Sequence, residues 1–273
     1  MRRSRMLTIM RTDLRQLWQS PDFWAPMLAL AVIFFVLAPL ALLWAITHAE
    51  NITIVQKVAA TLDVLPKRAQ AHVQGSTPGA RTSYALAVYL FAPLAVVVPM
   101  TISTAVGANT LVGEREKGTG EFLAHSPATE REIYLGKLLA SFLPGYLTTV
   151  VGFGIYSLVV DTVVGPKVGG WFFPTGDWWV LMFWVVPPFL AITLSVVLRL
   201  SARVRSAAAA QQASGLVTLP LIILSYAQSS GALFGVSNSG WVLGAVAWAL
   251  AILGLWRGTA AMTRERLLGV DIG

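Results

Sequence analysis

The stretch GEREKGTGEFLAHSPATEREIYLGKLL, residues 113–139, places five acidic and four basic residues in a chain that is otherwise largely apolar. Phosphate binding is the first chemistry to weigh, because Gly113-x-x-x-x-Gly118 has the opening glycine spacing of a P-loop. That loop needs a lysine next, to reach the phosphates, and a strand before it. Thr119 occupies the lysine position and a long apolar run precedes, so this chain does not cradle a nucleotide in that way. Metal chemistry fares no better: there is no cysteine, and His48, His72 and His125 form no helix-spaced pair. No paired carboxylates lie within an apolar run, and no Gly-x-Ser-x-Gly elbow appears. An ion-coupled carrier normally places ionisable groups inside its spans, and here none falls near a midplane. Energy, if it is used, must come from outside the chain.

The elements that hold this charged segment are membrane spans. Of 273 residues 56% are hydrophobic and only 12% charged, against about 25% charged in soluble domains. Since about 20 apolar residues cross the hydrocarbon, charge-free runs locate the spans. They predict an all-α, polytopic fold with six transmembrane helices over 24–47, 84–111, 133–160, 178–199, 207–227 and 241–257. The last two are separated by the break from Gln228 to Gly240. The first span is no cleaved signal, being too long and lying behind more than twenty residues. Fifteen Lys and Arg fall on the side holding both termini and residues 112–137, against five on the other, so the positive-inside rule puts both termini in the cytoplasm. Trp24 and Trp256 then mark the inner interface, and Trp44, Trp171, Trp178, Trp179 and Trp241 the outer one. The net charge of +7 is a topology signal, and nucleic acid is not needed to explain it.

Local patterns refine this plan. Met6, Leu7, Ile9, Met10, Leu14, Leu17 and Trp18 recur at helical spacing among arginines, which predicts an amphipathic helix in the interface plane, ended by Pro21. Residues 49–83 form the one sizeable external loop, with a turn at Gly75-Ser-Thr-Pro-Gly79. In the charged segment, Gly113, Gly118 and Gly120 interrupt the second span, a short helix follows, and Ser126-Pro127 closes it. Thr129-Glu-Arg-Glu132 matches a capping box immediately before Ile133, Tyr134 and Leu135. The segment therefore reads as a structured elbow rather than a linker.

Gly113-Glu-Arg-Glu-Lys-Gly-Thr119, the Ser126-Pro127 turn, and Glu132 through Gly136-Lys137-Leu-Leu139 with Pro144 following resemble the loop between spans two and three of type-2 ABC transporter permeases, of the type V exporter fold. Ser201-Ala-Arg-Val-Arg-Ser206, Gln211-Gln212, Gly215 and Leu219-Pro220 resemble the start of span five in bacterial export permeases of that group. The resemblance implies one permease domain over 1–273, with a connecting helix at 3–19 and a coupling elbow at 114–126 seated in a separate ATP-binding subunit. Glu114, Arg115, Glu116, Lys117 and Glu121 would make the charged contacts, and Gly118 and Thr119 would let the elbow bend. It further implies two ATP-binding subunits carrying ATP and Mg, no cofactor in this chain, a second permease copy, and residence in the bacterial inner membrane. Spans two and five would line the path, offering Thr101, Ser103, Thr104 and Asn109 on one and Gln211, Gln212, Ser214 and Thr218 on the other. Against that role, Ser and Thr in spans often bond their own helix or a neighbour. The expected cargo is an amphipathic small molecule or lipid-like substrate moved outward; a self-contained membrane enzyme, a scaffold, and an ATP-independent channel or carrier are the competing readings.

Overall fold

The structure is a computed structural model that describes residues 3–48, 67–116, 125–201, 207–229 and 239–261. Helices α1 (Arg3–Trp18) and α2 (Pro21–His48) open the chain. After α3 (Lys67–Ala71) come α4 (Pro78–Ala85, prolonged by a π-turn at Leu86–Leu90), α5 (Leu94–Glu116) and α6 (Glu130–Val163). The chain continues through α7 (Gly165–Val168), α8 (Gly176–Leu200), α9 (Ala207–Ser229) and α10 (Ser239–Ala261). No strand occurs among the described residues. Five helical stretches are long and apolar enough to cross a membrane: α2, α4 with α5, α6, α8 and α10. The expected fifth span is present as the 23-residue helix α9, outside that set of five.

Several boundaries differ from the sequence expectation for identifiable reasons. Pro21 does not merely end α1; it opens α2 at the first helical position, where its missing N–H is no loss. The second membrane segment begins within the expected external loop, at Pro78, because Thr77 caps the new helix by accepting from the Ala80 N–H at 3.2 Å. It breaks at residues 91–93, where Pro93 cannot donate and disfavours helix in the residue before it. Gly113 interrupts nothing, since α5 runs through it to Glu116. A single glycine inside a helix costs about 1 kcal/mol relative to Ala, too little to end a long one. The break between the last two helices falls on 230–238, outside the described residues.

Association of membrane helices depends on close packing rather than on expulsion of water, so small residues decide where helices meet. The backbones of α5 and α6 come close together at Gly145: a Cβ there would lie 2.6 Å from the Pro99 carbonyl oxygen. Gly152 makes room for Phe35 of α2, Gly244 of α10 for Trp184 of α8, and Gly258 of α10 for Tyr134 of α6. Helices α8 and α4–α5 are the most enclosed, whereas α2 and α10 keep most of their surface outward.

The end of the bundle remote from α1 is sealed by aromatic rings. Tyr156 Oη donates to the Ala87 carbonyl at 2.7 Å, and Trp178 Nε1 to the Val88 carbonyl at 2.7 Å. Both acceptors lie in the α4 π-turn, a distortion that sets carbonyls outside the regular ladder and lets side chains reach them. Phe153 stacks on Trp178 and Phe173 meets it edge-on. Trp178 is therefore a core residue, 2% exposed, and not part of an outward aromatic belt, whereas Trp44, Trp171, Trp179 and Trp241 are exposed. The Asp161 carboxylate accepts from the Phe172 and Phe173 N–H groups, both at 3.0 Å, and so fastens the chain that turns back into α8.

Candidate functional site

The elbow is visible from its two arms. Glu114, Arg115 and Glu116 form the last turn of α5. Lys117, Gly118, Thr119 and Glu121 lie outside the described residues, as does most of the expected coupling helix over 114–126. The second arm restarts as the sequence predicts: Thr129 Oγ1 accepts from the Glu132 N–H at 3.3 Å and Glu132 Oε2 accepts from the Thr129 N–H at 3.0 Å, a complete capping box. Glu132 is buried, so this box holds the start of α6 from within the fold. Ile133 and Tyr134, next in sequence, join Leu138, Leu194 and Leu198 in a small core between α6 and α8 that Ile9 of α1 also touches.

A second set of residues fastens α1 across both arms. The backbone at Gly136 leaves room for it: a Cβ there would stand 3.0 Å from Ile9 Cβ and 3.1 Å from the Met6 carbonyl oxygen. One residue later, Lys137 is wholly buried. Its ammonium donates to the Thr110 carbonyl of α5 at 2.8 Å and faces Asp13 Oδ2 of α1 at 3.6 Å. Arg5 of α1 donates to the Pro127 carbonyl, in the turn immediately before the capping box. One lysine therefore links the start of α6, the last part of α5 and the middle of α1. Burying an ammonium costs several kcal/mol unless it is paired and hydrogen-bonded, so the Lys137 head group resists any motion that separates these three helices.

Sequence reasoning missed this joint. Lys137 entered only as a motif residue and a topology charge, and Asp13 not at all, although it is the one acid among the arginines of the first helix. That isolation, on the same helical face as Met6, Ile9 and Leu17, was the available signal.

The expected path residues are dispersed. Thr101 is exposed and donates to the Val97 carbonyl at 2.8 Å, within its own helix. Ser103 is buried against Gly145 of α6, and Thr104, also buried, donates to the Thr101 carbonyl at 3.2 Å. Asn109 is half-buried, beside Thr110. On α9, Gln211 and Ser214 are placed by the backbone, Gln212 is exposed and Thr218 half-buried. Helices α5 and α9 pack together, so the two sets belong to neighbouring elements.

This is a multi-pass helical membrane protein in which a buried lysine fastens α1, α5 and α6 together. A family profile described as ABC-2 family transporter protein matches residues 45–264, most of the chain, and the protein belongs to that family. It is accordingly a type-2 ABC transporter permease, a membrane subunit of an ABC transporter. No curated protein matches it significantly.

Proposed function

We propose that this chain is the permease subunit of an ATP-driven exporter, moving an amphipathic small molecule or lipid-like substrate across the cytoplasmic membrane. It draws energy from a separate ATP-binding subunit that holds ATP and Mg, in an assembly of two permeases and two ATPase subunits. The five long apolar stretches span together with α9 as the sixth, with both termini and the elbow in the cytoplasm. Segment 114–126 docks on the ATPase through Glu114, Arg115, Glu116, Lys117 and Glu121, with Gly118 and Thr119 at the bend. The path lies between α5 and α9, with Thr101 and Gln212, both exposed, as its accessible polar groups.

The observation that supports this reading is the joint at Lys137. A push on the elbow must move a helix to do work, and a loop that yields would dissipate it. Here the elbow's arms and α1 share one buried ammonium, and a capping box holds the start of α6, so a displacement of the elbow would carry α5, α6 and α1 together. The test is Glu116→Lys in vesicles reconstituted with the cognate ATPase subunit. The charge reversal is expected to leave membrane insertion intact and to lower substrate-stimulated ATP hydrolysis several-fold; unchanged stimulation contradicts the role given to the elbow.

A further inference from the structure

Helix α1 has two opposed faces, and the coupling joint uses only one. With 3.6 residues per turn, Met6, Ile9, Asp13 and Leu17 fall on the side turned to α6. Leu7, Arg11, Arg15 and Trp18 fall on the other side at spacings of four, four and three. All four of the latter are exposed, Leu7 at 37% and Trp18 at 77%. Neither Arg11 nor Arg15 has a carboxylate partner among the described residues, whereas Arg5 turns inward to Pro127.

The level at which this face sits follows from Trp18. Its ring stacks on Trp24 with centroids 5.6 Å apart and planes at 10°, and Trp24 Nε1 donates to the Trp18 carbonyl at 3.2 Å. Trp24 belongs to the first turn of α2, where the apolar span begins. The indole pair therefore marks the membrane–water boundary, and α1 lies along it. A face that merely met water would gain nothing from an exposed Leu and Trp flanking two guanidinium groups that have no carboxylate partner among the described residues. A face resting on lipid uses all four: ring and isobutyl group enter the acyl boundary, and the guanidinium groups meet phosphate.

We propose that the outward face of α1, formed by Leu7, Arg11, Arg15 and Trp18, binds the headgroups of anionic phospholipids. The interaction is independent of what the permease carries. Because Arg5 and Asp13 fasten the same helix to the elbow, lipid charge acts on the joint through the α1 backbone. Each arginine at an anionic surface contributes about a fivefold preference over a neutral one.

The chain has no cysteine, so a single Thr12→Cys on exposed α1 surface carries an environment-sensitive dye at one defined place. The full chain is reconstituted in vesicles of phosphatidylcholine alone or with phosphatidylglycerol. The expected result is a blue-shifted emission in the anionic vesicles that high salt reverses and that is lost in Arg11→Gln/Arg15→Gln. Arg11→Lys/Arg15→Lys, which keeps both charges, retains most of the shift and shows that the helix itself has not been lost. Identical emission in both vesicle types overturns the proposal. So does a shift that appears only when the ATP-binding subunit is added, which would put protein on this face instead.

Discussion

At the scale of single residues, Lys137 is the point where α1, α5 and α6 meet. Its ammonium is buried, bonded to Thr110 and paired with Asp13, and removing one partner of such a pair typically costs about 3–5 kcal/mol because the other charge is stranded. Lys137→Met is therefore expected to lower the apparent melting temperature in detergent sharply, and Asp13→Asn combined with it to recover part of the loss. A double variant as damaged as the sum of the two single ones would show that the groups do not act as a pair. Half of the joint was legible in advance. Thr129 and Glu132 form a capping box because that device is written in four consecutive residues. The Asp13–Lys137 pair spans most of the first half of the chain, and no local period encodes it. Trp178 shows the same limit: its position near a span end was readable, but its burial depends on carbonyls exposed by a π-turn in another helix.

At the scale of elements, close approach rather than hydropathy distinguishes one glycine from the next. Gly145 and Gly154 lie on the same helix, three turns or fewer apart. A Cβ at Gly145 would collide with Ser103 and the Pro99 carbonyl of α5, and one at Gly154 would meet nothing within 4 Å. Gly145→Ala is thus expected to destabilise the bundle by about 1–3 kcal/mol through overpacking, and Gly154→Ala to be neutral or slightly stabilising. Thermal unfolding of the two variants side by side checks this, and equal effects would mean that α5 and α6 are not packed as described. The helices themselves were legible from charge-free runs, while several of their ends were not. Pro78, Pro93 and Gly113 each look like punctuation in sequence, yet the first starts a helix, the second breaks one and the third does neither.

At the scale of the whole molecule, the account requires a defined sidedness and an external motor. Ser76 and His125 are both exposed, the first before α4 and the second beyond α5, so one candidate membrane segment, α4 with α5, separates them. Cysteines placed singly at these positions in the cysteine-free chain are expected to react with impermeant reagent from opposite sides of the membrane. Labelling from one side would break the topology. The motor is tested most directly by purifying the tagged chain from its native cells in mild detergent and identifying what accompanies it. The account predicts a stoichiometric subunit with Walker motifs, lost when Glu114, Arg115, Glu116 and Lys117 are replaced together by alanine. A chain recovered alone under several gentle conditions, or one that keeps the ATPase after that replacement, would contradict the claim that the elbow is where ATP-driven force enters.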